Sequence, residues 1–376
     1  MVSDKRVVVI STEFPPGPGG IGTHAYELAR HLHRRQWQVH VITPQDFVAK
    51  PERDRFNERL CFQITPLPAG TRRRLVRIWH VIRRCRPQLL LATGRRALWA
   101  TAMFSTVFNI PWLAVAHGTE FLNPSPLFQF LTNQAVRRAR HVVAVSEYTA
   151  QLMDQKWLLS INVIPNGANG ERFRPNLPTQ KLRQQLGLMD KRVLLTVGHV
   201  SERKAQDVVI RALPQVLATC PDVVYLIVGL PTRQKELAQL AQACGVAEKV
   251  RFAGVVSVEM LPTYYNLCDL FVLVSRQAQD GDVEGYGIVV IEAALCGKTA
   301  VVSDHGGLPE AVHQGETGLV VPAESPEKTA EAIVALLTDE GRREMLAQRA
   351  LHYATEATWD KRIAAYDAIL RSMINN

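Results

Sequence analysis

Short apolar runs separated by longer stretches of helical spacing recur along the whole chain. Lys5–Ser11 is the first run, His24–Arg35 alternates apolar and basic positions at helical period, and Gln38–Thr43 is a second run. Continuous apolar runs are what strands buried on both faces of a parallel sheet require. The signature returns at Pro111–Ala116, Arg140–Ser146 and Asn162–Gly167. Glu171–Pro178, with Pro175 and Pro178, reads as a linker. The rhythm then restarts at Arg192–Gly198, Val223–Gly229, Val250–Gly254, Leu270–Val274, Thr299–Ser303 and Gly318–Val321. Strand and helix in alternation predict two doubly wound α/β domains facing each other, with strand-end loops lining the cleft. A chain of 376 residues is also long for one core. The boundaries fall at 1–172 and 173–356, and the amphipathic segment Trp359–Met373, within 357–376, is expected to cross back onto the first domain.

One stretch, Asp282–Gly297, stands apart from this rhythm. It opens as a polar loop through Gly285 and Gly287, becomes an apolar run and closes on Gly297, so it predicts a loop, a helix N-terminus and a helix stopped at a C-terminal glycine. Free N–H groups and the positive dipole end make such a terminus a phosphate site. Glu284 before the helix and Glu292 inside it would repel phosphate, so their expected partners are sugar hydroxyls. Eight residues of helix span roughly 12 Å, about the reach from a sugar across a diphosphate to a ribose. A solvent-facing role for Glu292 fits poorly, because Ile288–Ile291 and Ala293–Leu295 leave little polar face.

Other motifs are weaker. Gly17–Gly22 formally matches G-x-G-x-x-G, but it follows Ser11 too late and no acidic residue ends Gln38–Thr43. That argues against a nicotinamide site, while the loop still suits close backbone approach to a phosphate or sugar. His117 falls at the carboxyl end of a strand, where open α/β sheets bind ligands. Asp280-Gly-Asp282 has the D-x-D form of a cation site, but two carboxylates are too few to hold one.

Charge and composition narrow the classes. The net charge is +9; residues 1–175 carry 24 Lys+Arg against 11 Asp+Glu and the remainder 20 against 24, so the first half is basic and the second slightly acidic. Arg72–Arg96 is the densest basic stretch; read as a helix, it places Leu75, Ile78, Trp79 and Ile82 on one face, as a helix on an anionic lipid surface or an ordinary solvated helix would. No nucleic-acid motif accompanies it. Six scattered cysteines read as reduced thiols rather than disulfides or zinc ligands. Without a membrane-length apolar run, or a leader after Met1, the expected place is the cytoplasm, or peripheral attachment to the cytoplasmic face of a membrane.

Taken together, the motifs resemble a known family. They are the loop through Gly19-Gly20, His117-Gly118, Asn166-Gly167 with Arg172–Pro175, Val197-Gly198 through Lys204, Glu284–Glu292, Ser303–Glu310 and Gly315–Val320. In this order the chain is similar to retaining, nucleotide-sugar-dependent glycosyltransferases of the GT-B fold, family four. Asp282–Ile288 is most similar to the bacterial phosphatidylinositol mannosyltransferase branch. The resemblance implies transfer of a hexose from a GDP- or UDP-sugar to a lipid-linked or saccharide acceptor, with no metal and no further cofactor. It implies that Glu292 accepts the ribose hydroxyls and that Gly254 and Val255 border the base. Lys204 would neutralise the diphosphate, with N–H groups near Gly285, Tyr286 and Gly287 assisting, and Glu284 would grip the donor sugar. Gly19 and Gly20 would approach the phosphates and acceptor, and His117 would touch the sugar; His117, Lys204 and Glu284 form the implied catalytic set. The family commonly has an arginine after the glycine where His199 stands, so either Arg203 compensates, or phosphate binding is weaker and pH-sensitive above neutrality, or His199 serves as a neutral hydrogen-bond donor in the same slot. A sugar-nucleotide epimerase on the same architecture and a non-catalytic nucleotide-sugar or glycan-binding subunit are the alternatives.

Overall fold

The computed structural model describes residues 5–122, 125–153 and 161–375; residues 1–4, where a leader would begin, lie outside them. The chain divides into two compact units, Met1–Gly167 with Trp359–Asn376, and Ala168–Thr358.

In the first unit the elements run β1 (Arg6–Ser11), α1 (Gly20–Arg34), β2 (Gln38–Thr43), α2 (Lys50–Asn57), β3 (Gln63–Pro66), α3 (Thr71–Cys85) and β4 (Leu89–Thr93). They continue with α4 (Arg95–Phe108), β5 (Trp112–Ala116), α5 (Pro126–Val136), β6 (His141–Ala144), α6 (Glu147–Gln151) and β7 (Ile161–Val163). The strands form one parallel sheet in the order β3-β2-β1-β4-β5-β6-β7. Val7–Ile10, Leu89–Ala92 and Trp112–Ala116 are all buried, as strands covered on both faces must be. The sequence reading passed over two strands. β3 is a short edge strand ending in Pro66, which an edge tolerates. β4 lies at the centre of the sheet, between β1 and β5, but arginines flank it so closely that its five apolar and small residues vanish into a basic stretch.

The last helix, α14 (Trp359–Asn375), belongs to this unit and packs on α1. Its buried positions are Trp359, Ile363, Tyr366, Leu370 and Met373, one helical face. Trp37 Nε1 donates to Asp367 Oδ1 at 2.8 Å, and Arg35 and Arg371 complete the carboxylate's shell at 3.3 and 2.8 Å.

The second unit runs α7 (Gln180–Gln185), β8 (Arg192–Val197), α8 (Gln206–Thr219), β9 (Val223–Val228), α9 (Gln234–Ala243), β10 (Val250–Gly254), α10 (Leu261–Leu267) and β11 (Leu270–Leu273). It ends with α11 (Ile288–Leu295), β12 (Ala300–Ser303), β13 (Gly318–Val321), α12 (Pro326–Thr338) and α13 (Glu340–Glu356). Its parallel sheet has the order β10-β9-β8-β11-β12-β13. Residues 168–173 pack with this unit: the Ala168 N–H donates to the Ala357 carbonyl at 3.0 Å, and the Phe173 ring lies 5.6 Å from that of Tyr265. Each sheet reverses its winding once, between β1 and β4 and between β8 and β11, and the loops at the carboxyl ends of those strands are where doubly wound sheets bind ligands. No helix among the described residues is long and apolar enough to cross a membrane.

Asp367→Ala strands the Trp37 indole N–H inside the unit, so it is expected to cost about 1–3 kcal/mol. A urea titration should show a lower midpoint at unchanged slope; an unchanged midpoint would contradict this anchoring of α14.

Candidate active site

In the second unit the loops leaving β8 and β11 meet beside the point where the sheet reverses. Gly198, at φ 142°, follows β8, and a Cβ there would lie 2.8 Å from Lys204 Cε. Its absence lets the loop fold back and present Arg203 and Lys204 inward. From the other loop come Asp282 and Glu284. Arg203 Nε donates to Asp282 Oδ2 at 2.8 Å, its other end donates to Glu284 Oε2, and Lys204 Nζ donates to the same oxygen at 2.6 Å. All three side chains at the Glu284 end are largely buried, Lys204 at 6% exposure and Glu284 at 14%. Burial pushes the Glu284 carboxyl up, but the charges of Arg203 and Lys204 outweigh it and hold it at about 2. Burial draws the Lys204 ammonium below its usual value despite Glu284, with Arg203 adding to the fall. Burial also works against Arg203, but Glu284 and Asp282 raise it further. The Arg203 carbonyl is fixed by the Arg276 N–H at 2.9 Å, and Arg276 is tied to Asp207 and to Glu324.

Backbone packing fixes the loop that carries Glu284. The Gly307 N–H donates to the Glu284 carbonyl at 2.8 Å. A Cβ on Gly307 would lie 2.1 Å from the Gly285 carbonyl oxygen, and one on Gly306 2.5 Å from that of Glu284. The two glycines therefore form a floor on which residues 284–285 rest. Gly287, at φ 90°, turns the chain into α11, whose first turn carries no acidic residue. Glu292, on that helix, is 7% exposed and accepts a hydrogen bond from Tyr265 Oη at 2.7 Å. Tyr286 is buried beside the turn. At the end of β10, Gly254 stands at φ 68° with its carbonyl accepting the Gly229 N–H at 2.8 Å, and Val255 beyond it is 66% exposed.

His199 lies on the same β8 loop, its Nε2 2.6 Å from Thr232 Oγ1. Burial, then the charge of Arg203, lowers its pKa below 6.5. Its ring is therefore held toward the neutral, hydrogen-bonding form at pH 7. The D-x-D form also has a structural account. Asp280 Oδ1 accepts the Asp282 N–H at 3.0 Å and the Asp282 carboxylate is taken by Arg203. Among the described residues no group of three or more His, Cys, Asp or Glu side chains could hold a metal.

The first unit gathers a separate cluster around two neutral histidines. Gly19, at φ 144°, precedes α1, with Glu13 so close that a Cβ would lie 2.0 Å from its carboxylate; Gly20 opens the helix with nothing near its Cβ position. His117 follows β5. Its Nε2 lies 2.6 Å from Thr93 Oγ1, at the end of β4, and its ring is edge-on to His24 at 4.9 Å. His24 Nδ1 is in turn 2.8 Å from Asn166 Oδ1. Burial holds His24 at about 4 and, with His24 beside it, keeps His117 well below 6.5, so both rings are neutral near pH 7. Glu120 folds back so that its Oε2 accepts the His117 N–H at 3.0 Å, while Oε1 is buried without a hydrogen-bond partner. Burial pushes the Glu120 carboxyl up to about 7 in spite of backbone N–H groups and Arg95. Thr93, Glu120 and His24 escaped the sequence reading. The acid three residues past His117 was visible, but its role depends on a turn that sequence does not display.

Comparison with known proteins places the chain in a family. The Glycosyltransferase Family 4 model matches residues 18–172 and the glycosyl transferases group 1 model matches residues 178–353. The chain belongs to glycosyltransferase family four. The GDP-mannose-dependent alpha-(1-6)-phosphatidylinositol monomannoside mannosyltransferase of Mycobacterium tuberculosis is 29% identical, over 97% of this chain and 98% of that protein. A GDP-mannose-dependent monoacylated alpha-(1-6)-phosphatidylinositol monomannoside mannosyltransferase of Corynebacterium glutamicum is 35% identical over 52% of each. HepE of Anabaena, solved with UDP and glucose, has a TM-score of 0.83 at 23% identity and covers 98% of this chain and 100% of its own, a likeness of fold. This glycosyltransferase therefore has the two α/β domains of the GT-B class, and its reaction is glycosyl transfer from a nucleotide sugar.

The family-four enzyme should carry the mark of Glu120 in its pH dependence. The folded value is raised from 4.5 to about 7, so the group's favourable contribution is full below 4.5 and is lost as pH rises to about 7, a change of about 3 kcal/mol. Melting from pH 4.5 to 8 should show Glu120→Gln with a flatter profile than the parent; parallel profiles would contradict the assignment.

Proposed function

We propose that this glycosyltransferase moves mannose from GDP-mannose to a lipid-linked acceptor, with retention at the anomeric carbon and without a metal ion. The names of the mycobacterial and corynebacterial relatives support the donor and the lipid acceptor. The observation that carries the chemistry is the buried Arg203–Lys204 pair facing Glu284 on the β8 and β11 loops.

The donor diphosphate takes over Arg203 and Lys204 from the carboxylates, with N–H groups at the start of α11 completing its shell. Two fixed cations in a dry site stabilise the charge that grows on the departing phosphate. They supply what a divalent ion would otherwise supply, which is the physical basis for metal independence. Glu284, released from the cations, accepts the sugar's hydroxyls, and Glu292 those of the ribose; Gly254 and Val255 border the base. His199 joins as a neutral donor. On the first unit His117 serves the sugar as a neutral imidazole, and Gly19 and Gly20 the acceptor and phosphates. The acceptor hydroxyl attacks the face that the phosphate leaves, and the phosphate takes the hydroxyl proton, so no separate base is needed. Arginines of α3 hold the protein on an anionic membrane surface at the cytoplasmic face, where a lipid acceptor is presented.

The two glutamates divide the donor between them. Glu292→Gln is expected to weaken free GDP, whereas Glu284→Gln leaves GDP binding unchanged or tighter, because it frees two cations, and lowers transfer by on the order of 100-fold. Calorimetric GDP titration beside a transfer assay in chelator decides this. Equal loss of GDP binding in both variants would refute the division, and loss of parent activity in chelator would refute the metal-free reading.

A further inference from the structure

Helices α3, α4 and α5 form one continuous layer on the first unit. Trp79 of α3 contacts Phe104 and Phe108 of α4 at 6.5 and 4.7 Å, and Trp99 of α4 contacts Phe128 of α5 at 5.5 Å. Their inner sides enter a single core with β1, β4 and β5, through Ile78, Ile82, Leu98, Ala102 and Val136.

The outer side is unusual in two independent ways. Between Glu58 and Glu147 the sequence holds thirteen arginines and a single acid, Glu120, which is buried. The face has no carboxylate of its own, and among the described residues Arg72, Arg73, Arg77, Arg83 and Arg84 make no ion pair. On α3 itself Arg74 pairs with Asp46, and in the second unit Arg192 pairs with Asp222 and Arg233 with Glu236. A groove on α3 is lined by Pro68, Arg72, Arg73, Val76, Arg77 and His80, cationic groups around an apolar floor. The second feature is apolar. On α5, Leu127, Phe128, Phe130 and Leu131 are 61, 42, 57 and 40% exposed, while Thr132, Ala135 and Val136 turn inward. Leu127, Phe130 and Leu131 stand at helical spacing on one outward stripe. Val107 of α4 and Val76 of α3 extend the apolar surface at 53 and 57% exposure.

We propose that this layer is a bilayer-docking face in which α5 inserts its Leu127–Leu131 stripe among the acyl chains while the arginines of α3 take the phosphates of anionic phospholipid headgroups. This rests on the membrane reading of α3 above and adds a second, apolar anchor. The charge excess selects an anionic surface. The bulky aliphatic and aromatic side chains on a convex helix surface select an interior that is itself apolar, which distinguishes a bilayer from nucleic acid. Salt screens the first component and not the second.

Co-sedimentation of the full chain with vesicles of phosphatidylglycerol and phosphatidylcholine separates the two. The parent is expected to bind at about 0.1 M salt and to keep a measurable share at about 0.5 M salt, where surface charges are screened. Leu127→Ser with Phe130→Ser should lose the salt-resistant share, at least tenfold, and keep low-salt binding. Arg72→Gln with Arg73→Gln and Arg77→Gln should lose low-salt binding. All these positions are exposed, so melting temperature and GDP binding should match the parent, and the Leu127/Phe130 variant is scored only against that check; Phe130→Gln alone is the fallback. Complete release of the parent by salt, or a Leu127/Phe130 variant that binds as the parent does, overturns the insertion while leaving electrostatic docking in place. Binding of the parent to neither anionic nor neutral vesicles overturns both.

Discussion

The charge balance on the β8 and β11 loops constrains everything else at the candidate donor site. Two cations, Arg203 and Lys204, are buried where solvent cannot neutralise them, and two carboxylates, Asp282 and Glu284, arrive from the neighbouring loop to do so. Buried charge is tolerated only when paired and hydrogen-bonded. The pairing explains why Gly198 is needed beside Lys204 and why Gly306 and Gly307 lie under residues 284 and 285: any side chain there would push one partner away. It also gives the site two states, one in which the cations hold carboxylates and a proposed one in which they hold a diphosphate.

The first unit follows the opposite electrostatic logic. Its histidines are neutral, because burial keeps the His24 and His117 rings uncharged, and burial lifts the Glu120 carboxyl to about 7. Such a cluster positions groups through hydrogen bonds, Thr93 on one side of His117 and Glu120 on its backbone, without adding charge. The excess positive charge of this unit is densest on the exposed face of α3. Paired charge at the proposed donor site and an uncharged His117, proposed to serve the sugar, suit a reaction in which negative charge grows on the leaving phosphate alone.

Much of this was legible in the chain because parallel strands advertise themselves as apolar runs, and β1, β2, β8, β9, β11 and β12 all do so. β4 did not, since its Leu-Leu-Leu-Ala core is short and its neighbours are arginines. On α3 the expected Leu75, Ile78 and Ile82 do meet the core, joined by Val81, while Trp79 is 38% exposed because it meets α4 rather than the sheet. Glu284 and Glu292 were visible as carboxylates where phosphate should lie. Their partners were not, because Arg203 and Tyr265 reach them from 81 and 27 residues away in sequence, and only the fold brings those segments together. The chain reads as a first domain to residue 172 and a linker over Glu171–Pro178, whereas the Ala168–Ala357 hydrogen bond and the burial of Phe173 against Tyr265 put residues 168–173 with the second unit.

The central claim is that the Arg203–Lys204 site binds the diphosphate of a nucleotide sugar without a metal. Thermal unfolding in chelator, with GDP, GDP-mannose, UDP and UDP-glucose each in turn, tests it directly. Binding at a hundredfold over Kd adds about 2.7 kcal/mol, so GDP and GDP-mannose should raise the melting temperature by several degrees, and Lys204→Ala should abolish the rise. No shift with any of the four ligands would contradict the account.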